Sequence, residues 1–207
     1  PLLHISTDYV YDGGKHSPYV EHDPVAPLGV YGQSKAEGDE AVRRLLPRHL
    51  TLRVSWVFGI HGHNFVKTML QLAREREEVR VVSDQFGCPT YAGDIADTLL
   101  NLVGRSTEID ANDAWGTYHY CGTPVTTWHN FVSAIIEQAQ TFEALRVQTI
   151  TAIATADYPT PAARPANSVL DSSRLSFCFG ILPRPWRDGL HALLVALHAD
   201  GSKRPAG

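Results

Sequence analysis

The feature that most constrains this chain is a set of short apolar runs separated by helical stretches. Residues 2–6 form the first run and open into Ser6-Thr7-Asp8; residues 50–57 form a second, rich in β-branched and aromatic side chains, and stop at Gly59. Runs this short, bounded by polar or glycine residues, read as buried strands of a parallel sheet. Ligands of such sheets gather where the strands end at their carboxyl side. Further strands are expected at 79–82, 118–120 and 147–150. Helices are expected at 30–46, 64–76, 93–103, from Thr126 or Thr127 to 138, at 172–177 and at 185–197. In the first helix Ala36, Val42, Leu45 and Leu46 are expected to share one face, with Glu37, Asp39 and Glu40 on the other and Pro47 as the stop. Glycines and prolines mark 12–27, 84–90 and 159–165 as loops. This alternation of strands and helices defines an α/β fold.

Charge and cysteine usage narrow the function classes. The chain has 207 residues, with 18 Lys+Arg against 22 Asp+Glu, and no basic run of five or more. Neither a nucleic acid nor a membrane surface is an expected partner. No apolar run reaches the ~18 residues of a membrane helix, and residues 1–5 carry no signal-peptide pattern. The basic pairs Arg43-Arg44 and Lys203-Arg204 read as solvated surface. Cys88, Cys121 and Cys178 form no CxxC pair and read as free thiols of a reducing cytoplasm. The chain lacks an initiator Met and begins inside an apolar run, so a fragment is expected.

The sharpest chemical signal is Tyr31-Gly32-Gln33-Ser34-Lys35 at the start of a helix, 24 residues after Thr7. Tyr and Lys at i and i+4 share a helical face, which brings an ammonium towards a phenol. A free tyrosine, with a pKa near 10, is a poor acid–base at neutral pH. A neighbouring cation favours the phenolate and moves the group towards useful acid–base chemistry. Thr7, at a strand end, can donate a hydrogen bond to a substrate carbonyl oxygen as negative charge develops there. The YxxxK spacing alone is weak; the strand-end Ser-Thr-Asp and the downstream strand from Arg53 to Gly59 sharpen it.

At these residues the chain resembles the dTDP-4-dehydrorhamnose reductases, which are extended short-chain dehydrogenases. The resemblance rests on Ser6-Thr7-Asp8-Tyr9-Val10-Tyr11-Asp12-Gly13, on Tyr31 to Glu37 and on Arg53-Val54-Ser55-Trp56-Val57-Phe58-Gly59. It continues through Asn64-Phe65-Val66, Asp84 to Thr90, Gly116 to His119, and Arg164-Pro165-Ala166-Asn167-Ser168-Val169-Leu170-Asp171. It implies part of a Rossmann-like doubly wound parallel sheet plus a smaller α/β substrate-binding lobe. Residues 1–82 would be the C-terminal portion of the dinucleotide-binding domain. Residues 83–207 would be mainly the sugar-nucleotide lobe, with 92–120 returning to the Rossmann-like part.

The implied reaction is reduction by NADPH or NADH of the C4 ketone of dTDP-6-deoxy-L-lyxo-4-hexulose, giving dTDP-L-rhamnose. Tyr31 would protonate O4, Lys35 would assist it and hold the nicotinamide ribose, and Thr7 would polarise the ketone. Ile5 would approach the cofactor through its backbone. Asp8 and Tyr9 would lie beside the sugar and Trp56 would wall its pocket. Asn64, Gln85, Thr90 and Arg164 are expected to hold the deoxynucleotide or its pyrophosphate; the Arg164 fork suits phosphate oxygens. The family's Gly-rich phosphate turn is not in the chain, so dinucleotide binding by this stretch alone is expected to be very weak. The strand at 2–6 is expected to expose an apolar edge, covered by self-association into a homo-oligomer.

Other signals carry less. His61-Gly62-His63 reads as loop histidines near substrate or solvent rather than a metal pair. Asp12-Gly13-Gly14-Lys15 lacks phosphate-loop spacing and reads as a turn. Asp8, Asp12, Glu21 and Asp23 could bind Mg²⁺, but a solvated loop is the better reading and no metal site is expected. His119 and Trp128 are expected to pack the smaller lobe. Two other functions are compatible with the fold: a nucleotide-sugar epimerase or dehydratase, and a non-catalytic subunit like the beta subunit of methionine adenosyltransferase. The Thr7-Asp8-Tyr9 block speaks against the former, and the intact Thr7, Tyr31 and Lys35 lean against the latter.

Overall fold

A computed structural model describes residues 1–106, 114–158 and 164–201. The basic pair at 203–204 and residues 159–163 of the proline-rich loop lie outside the described residues. Three parallel strands form the main sheet: β1 (Leu2–Thr7), β2 (His49–Val54) and, as numbered along the chain, β7 (Gly116–Tyr120), in the order β1-β2-β7. Leu2 lies opposite His49 and Thr7 opposite Val54; on the other side Leu50 faces Gly116 and Val54 faces Tyr120. All six residues of β2 are buried, as a central strand requires. β1 pairs within the described residues only with β2, and Ile5 is 45% exposed. Within the described residues the run at 2–6 is thus half open rather than buried.

The second expected strand is interrupted. After β2 the chain turns at Trp56, whose φ of 46° is the one positive value outside glycine among the described residues. A bulky side chain there is an outlier held only by its surroundings. The chain then resumes as β3 (Val57–Phe58), which pairs in parallel with β6 (Thr90–Tyr91). β4 (Glu78–Val82) pairs in parallel with β9 (Thr149–Ile153), and β5 (Phe86–Gly87) pairs antiparallel with β8 (Thr126–Thr127). The strand expected at 147–150 begins later, because Val147 donates its backbone N–H to Ala73 instead of joining the ladder.

Helices α1 (Val30–Leu45), α2 (Phe65–Glu75), α3 (Ala92–Ser106), α4 (Trp128–Ala139), α5 (Ser173–Phe179) and α6 (Trp186–Gly201) complete the fold. Polar caps start two of them: the Asn64 side chain accepts from Lys67 N–H, and the Thr127 hydroxyl accepts from Asn130 N–H. Leu50, Leu52 and Val54 of the main sheet pack with Ile95 and Leu102 of α3 and with Leu175 and Phe179 of α5. A separate core joins α2, α4 and α6 through Leu70, Phe131, Ile135, Leu190 and Leu193. β4 lies within 1–82 but is joined to β9 and packs Val79 and Val81 against Val132 and Ile136 of α4. Its partners therefore come from the later part of the chain.

The expected faces of α1 are not those observed. Asp39, placed on the polar face by its type, is 7% exposed, whereas Leu45 is 67% exposed. The reason lies in the next strand: buried Arg53 on β2 offers its guanidinium, and Asp39 turns inward to meet it.

Candidate active site

Each catalytic candidate is carried to the same end of the main sheet by a local device. β1 ends at Thr7, whose side chain caps a single 3-10 turn over Asp8–Val10 by accepting the Tyr9 N–H at 3.2 Å. The Thr7 hydroxyl donates to Asp8 Oδ1 at 2.9 Å. Asp8 is 2% exposed, and its other oxygen, Oδ2, is without a hydrogen-bond partner. Burial raises the Asp8 carboxyl to about 7, against the opposing influence of the Ser168 and Thr7 hydroxyls. Burial and the charge of Asp8 also raise the Tyr9 phenol, while the Arg164 guanidinium lowers it.

Helix α1 brings Tyr31 and Lys35 to this turn. Gly32 permits the approach: a Cβ there would lie 2.2 Å from the Tyr9 carbonyl oxygen. The rings of Tyr31 and Tyr9 meet edge to face with centroids 5.9 Å apart. Lys35 Nζ donates to the Ile5 carbonyl at 2.6 Å, so the ammonium is fastened to the strand end that carries Thr7. Tyr31 is 59% exposed and its phenol stands at the open side of the cleft.

A buried polar chain holds α1 in register behind the cleft. Arg53 Nε donates to Asp39 Oδ2 at 3.0 Å, and its terminal nitrogen donates to the Tyr11 hydroxyl at 2.7 Å. That hydroxyl lies 2.9 Å from His119 Nε2, and His119 Nδ1 lies 3.0 Å from the Tyr19 carbonyl. Since a carbonyl only accepts, Nδ1 carries the proton and the bare Nε2 faces the Tyr11 hydroxyl, which also donates to the Val20 carbonyl at 3.2 Å. Burial and the Arg53 charge lower His119 to about 3, so it is neutral at neutral pH. His119 therefore belongs to the main sheet through β7, not to the smaller lobe as expected, because its strand pairs with β2.

Trp56 and Trp128 form a stacked wall, with centroids 3.5 Å apart and planes inclined by 9°. Gly87 backs it: a Cβ there would fall 2.3 Å from the Trp56 indole. On one side is a cleft of about 310 Å³ that gathers Ile5, Thr7, Asp8, Tyr9, Tyr31, Lys35 and Trp56. On the other is a cavity of about 400 Å³ with Asn64, Gln85 and Arg164 in its lining, beside His63, Arg80 and Tyr158. Trp128 lines both. It packs against the lobe's core as expected, beside Phe65 and Phe131, and as the first residue after the Thr127 cap it also faces the cleft. The signal available in sequence was an aromatic residue at a helix start, too common to single out.

The remaining candidates are placed unevenly. Asn64 donates to the Gly59 carbonyl and caps α2, and buried Gln85 donates to Thr155. Thr90 is not brought to either cavity. It is fully buried, its hydroxyl donating to the Cys88 carbonyl and accepting from Gly122 N–H. The four acidic residues considered for a cation are each engaged separately. Asp12 accepts from Tyr19 and Gly14, Asp23 from Lys15, and Glu21 from His119 N–H, while Asp8 is buried rather than in a solvated loop. Among the described residues no group of three or more His, Cys, Asp or Glu side chains converges on a point. Cys88, Cys121 and Cys178 are free; Cys88 and Cys121 are buried neighbours, and the Cys121 thiol together with burial pushes Cys88 up.

Residues 1–199 match the RmlD substrate binding domain. The dTDP-4-dehydrorhamnose reductase of Aggregatibacter actinomycetemcomitans is 47% identical over 190 residues, which are 91% of this chain and 64% of that protein. The crystal structure of a dTDP-4-dehydrorhamnose reductase from Clostridium acetobutylicum superposes with a TM-score of 0.85 at 34% identity, covering 94% of this chain and 65% of that one. The Bacillus anthracis dTDP-4-dehydrorhamnose reductase, solved in complex with NADP, gives 0.83 at 34% identity, with 94% and 65% covered. The chain thus spans slightly less than two thirds of the length of these three relatives. Its fold is the Rossmann-like α/β fold of these reductases, and the chain belongs to the RmlD substrate-binding-domain family.

Proposed function

We propose that this chain is the catalytic and sugar-nucleotide-binding portion of a nicotinamide-dependent reductase. The reaction is reduction of the C4 ketone of dTDP-4-dehydro-6-deoxy-L-mannose to dTDP-L-rhamnose, a step towards cell-surface polysaccharide. The observation that carries this reading is the convergence of Thr7, Tyr31 and Lys35 on one cleft walled by Trp56. Two relatives bearing the reductase name, at 47% and 40% identity, support it over an epimerase, a dehydratase or a regulatory subunit.

The roles follow from chemistry. Tyr31, at the open side of the cleft, delivers a proton to O4 as the ketone becomes an alcohol. Lys35, held by the Ile5 carbonyl, retains two further N–H donors for the nicotinamide ribose or the phenol. Thr7 polarises the ketone from the strand end. Asp8, Tyr9 and the indole of Trp56 border the sugar. Arg164, Asn64 and Gln85 border the nucleotide in the cavity beyond Trp128, where the guanidinium suits pyrophosphate oxygens. The exposed carbonyl edge of Ile5 with the Lys35 ammonium fits the nicotinamide-ribose end of NADPH or NADH. That cofactor supplies the hydride. Thr90 has no part in this reading, since its hydroxyl is already satisfied.

In this reading the β1-β2-β7 sheet with α1, α3 and α5 is the cofactor side, and the β4–β9 pair with α2, α4 and α6 is the sugar-nucleotide side. In this reading the protein works in the cytoplasm and as a homo-oligomer. The test is nicotinamide oxidation by the full-length gene product with dTDP-4-keto-6-deoxy-L-lyxo-hexose. Turnover that Tyr31→Phe abolishes is the expected result. A folded product that fails to oxidise either cofactor with this sugar refutes the assignment.

A further inference from the structure

The Thr7 hydroxyl has one proton, and in this structure it is committed. It points to Asp8 Oδ1 at 2.9 Å, while the oxygen is already accepting from Tyr9 N–H. In that state Thr7 has nothing to donate to a ketone in the cleft. The group that takes the proton is itself unusual: a carboxyl buried at the cleft floor, 2% exposed, whose Oδ2 has no partner. A charged carboxylate so placed forgoes hydration without full compensation.

The geometry points to Asp8 as a positioning residue that sets the direction of the Thr7 hydroxyl. Charged, it captures the Thr7 proton; protonated, it donates to Thr7 Oγ1 in its turn, and the Thr7 proton is released towards the ketone oxygen. This inference rests on the reductase reading and adds to it a proton-controlled step before hydride transfer. The only covalent change is the O–H bond formed on Asp8 by one proton taken from solvent, and the Thr7–Asp8 hydrogen bond then reverses its sense.

The groups that face Asp8 come from every side. Tyr9 adjoins it on the same turn, and the Cys88 and Cys121 thiols and the Ser168 hydroxyl approach from the segments packed below. Tyr31 and Lys35 reach the cleft from α1, and Arg164 acts on Tyr9. The Ser168 and Thr7 hydroxyls and the backbone N–H groups of Asp8 and Tyr9 oppose protonation of Asp8, and burial outweighs them, raising the carboxyl to about 7. Asp8 thus changes charge in the range where the enzyme would work, which a surface aspartate does not.

The experiment uses the full-length gene product and two readouts. The first is the pH profile of kcat/KM for wild type and Asp8→Asn. Wild type should lose activity as pH rises through neutrality, and Asp8→Asn should lack that limb, because in either amide orientation the charge that titrates is gone. The second needs no variant: infrared titration of aspartate-labelled wild type, in which one protonated-carboxyl band should disappear at a pH of about 7. A limb that survives unchanged in Asp8→Asn, or a wild type in which every aspartate titrates in the ordinary carboxylate range, overturns the inference and leaves the reductase reading standing. Absence of turnover at every pH in folded wild type removes the reductase reading and this control with it.

Discussion

Replacing Asp39 by Asn removes a charge from the helix that carries Tyr31 and Lys35 while keeping its volume. Asp39 Oδ2 lies 3.0 Å from Arg53 Nε, and the two side chains are only 8% and 5% exposed. At an effective dielectric constant of about 20, opposite charges at that separation attract by about 5 kcal/mol. Much of that attraction offsets the desolvation of the two ions, so the pair as a unit is worth far less. Removing one partner is different, since the Arg53 guanidinium then stays buried with the Tyr11 hydroxyl and no anion bonded to it. Breaking a buried pair in this way costs about 3–5 kcal/mol. The His4 ring, 3.1 Å from Asp39 Oδ1, loses its charged partner too. Urea unfolding of Asp39→Asn should therefore show a fall of about 3–5 kcal/mol at unchanged m-value. The double variant Asp39→Leu, Arg53→Met should recover most of it, because two apolar side chains leave no orphaned charge. A fall below about 1 kcal/mol in the single variant, the range of exposed pairs, would falsify the claim that this pair pins the helix to the sheet.

Two further outcomes follow. Gly87→Ala should push the Trp56 indole out of its stack with Trp128, since a Cβ there would lie 2.3 Å away; the expected signs are a loss of about 1–3 kcal/mol and a raised KM for the sugar nucleotide. An unchanged KM would show that the wall does not border the sugar. The pH dependence of stability should be flatter than either buried group alone would make it. His119 is depressed from 6.5 to about 3, so between those values the unfolded chain holds its proton and the folded chain does not, and this group's contribution is lost as pH falls. Asp8 is raised from 3.8 to about 7, so between those values the folded chain holds the extra proton, and this contribution is lost as pH rises. From about pH 4 to 6.5 the two slopes oppose. Asp8→Asn should unmask the His119 slope, stability then rising by up to about 1.4 kcal/mol per pH unit. A slope identical to wild type over that window would contradict these proton assignments.

The α/β class, the helix cap at Thr127, and the pairing of strand-end Thr7 with Tyr31 and Lys35 were legible in the chain itself. Each depends on local rules: the period of apolar residues, a polar side chain at a helix start, and residues four apart sharing a face. The family resemblance extended this to Asp8, Tyr9 and Trp56, and all of these line the cleft. What only the tertiary structure decided involves groups distant in sequence. Asp39 looked like a polar-face residue until Arg53, 14 positions on, met it in the core. Trp128 became a cleft wall because Trp56, 72 positions earlier, turns back at a positive φ to stack on it. Thr90 looked like a ligand contact, but the backbone of Cys88 and Gly122 satisfies it first. Periodicity reports which face of an element is apolar; it does not report which buried polar group will find its partner on another element. That is settled only when the chain closes and each buried donor or acceptor must be paired.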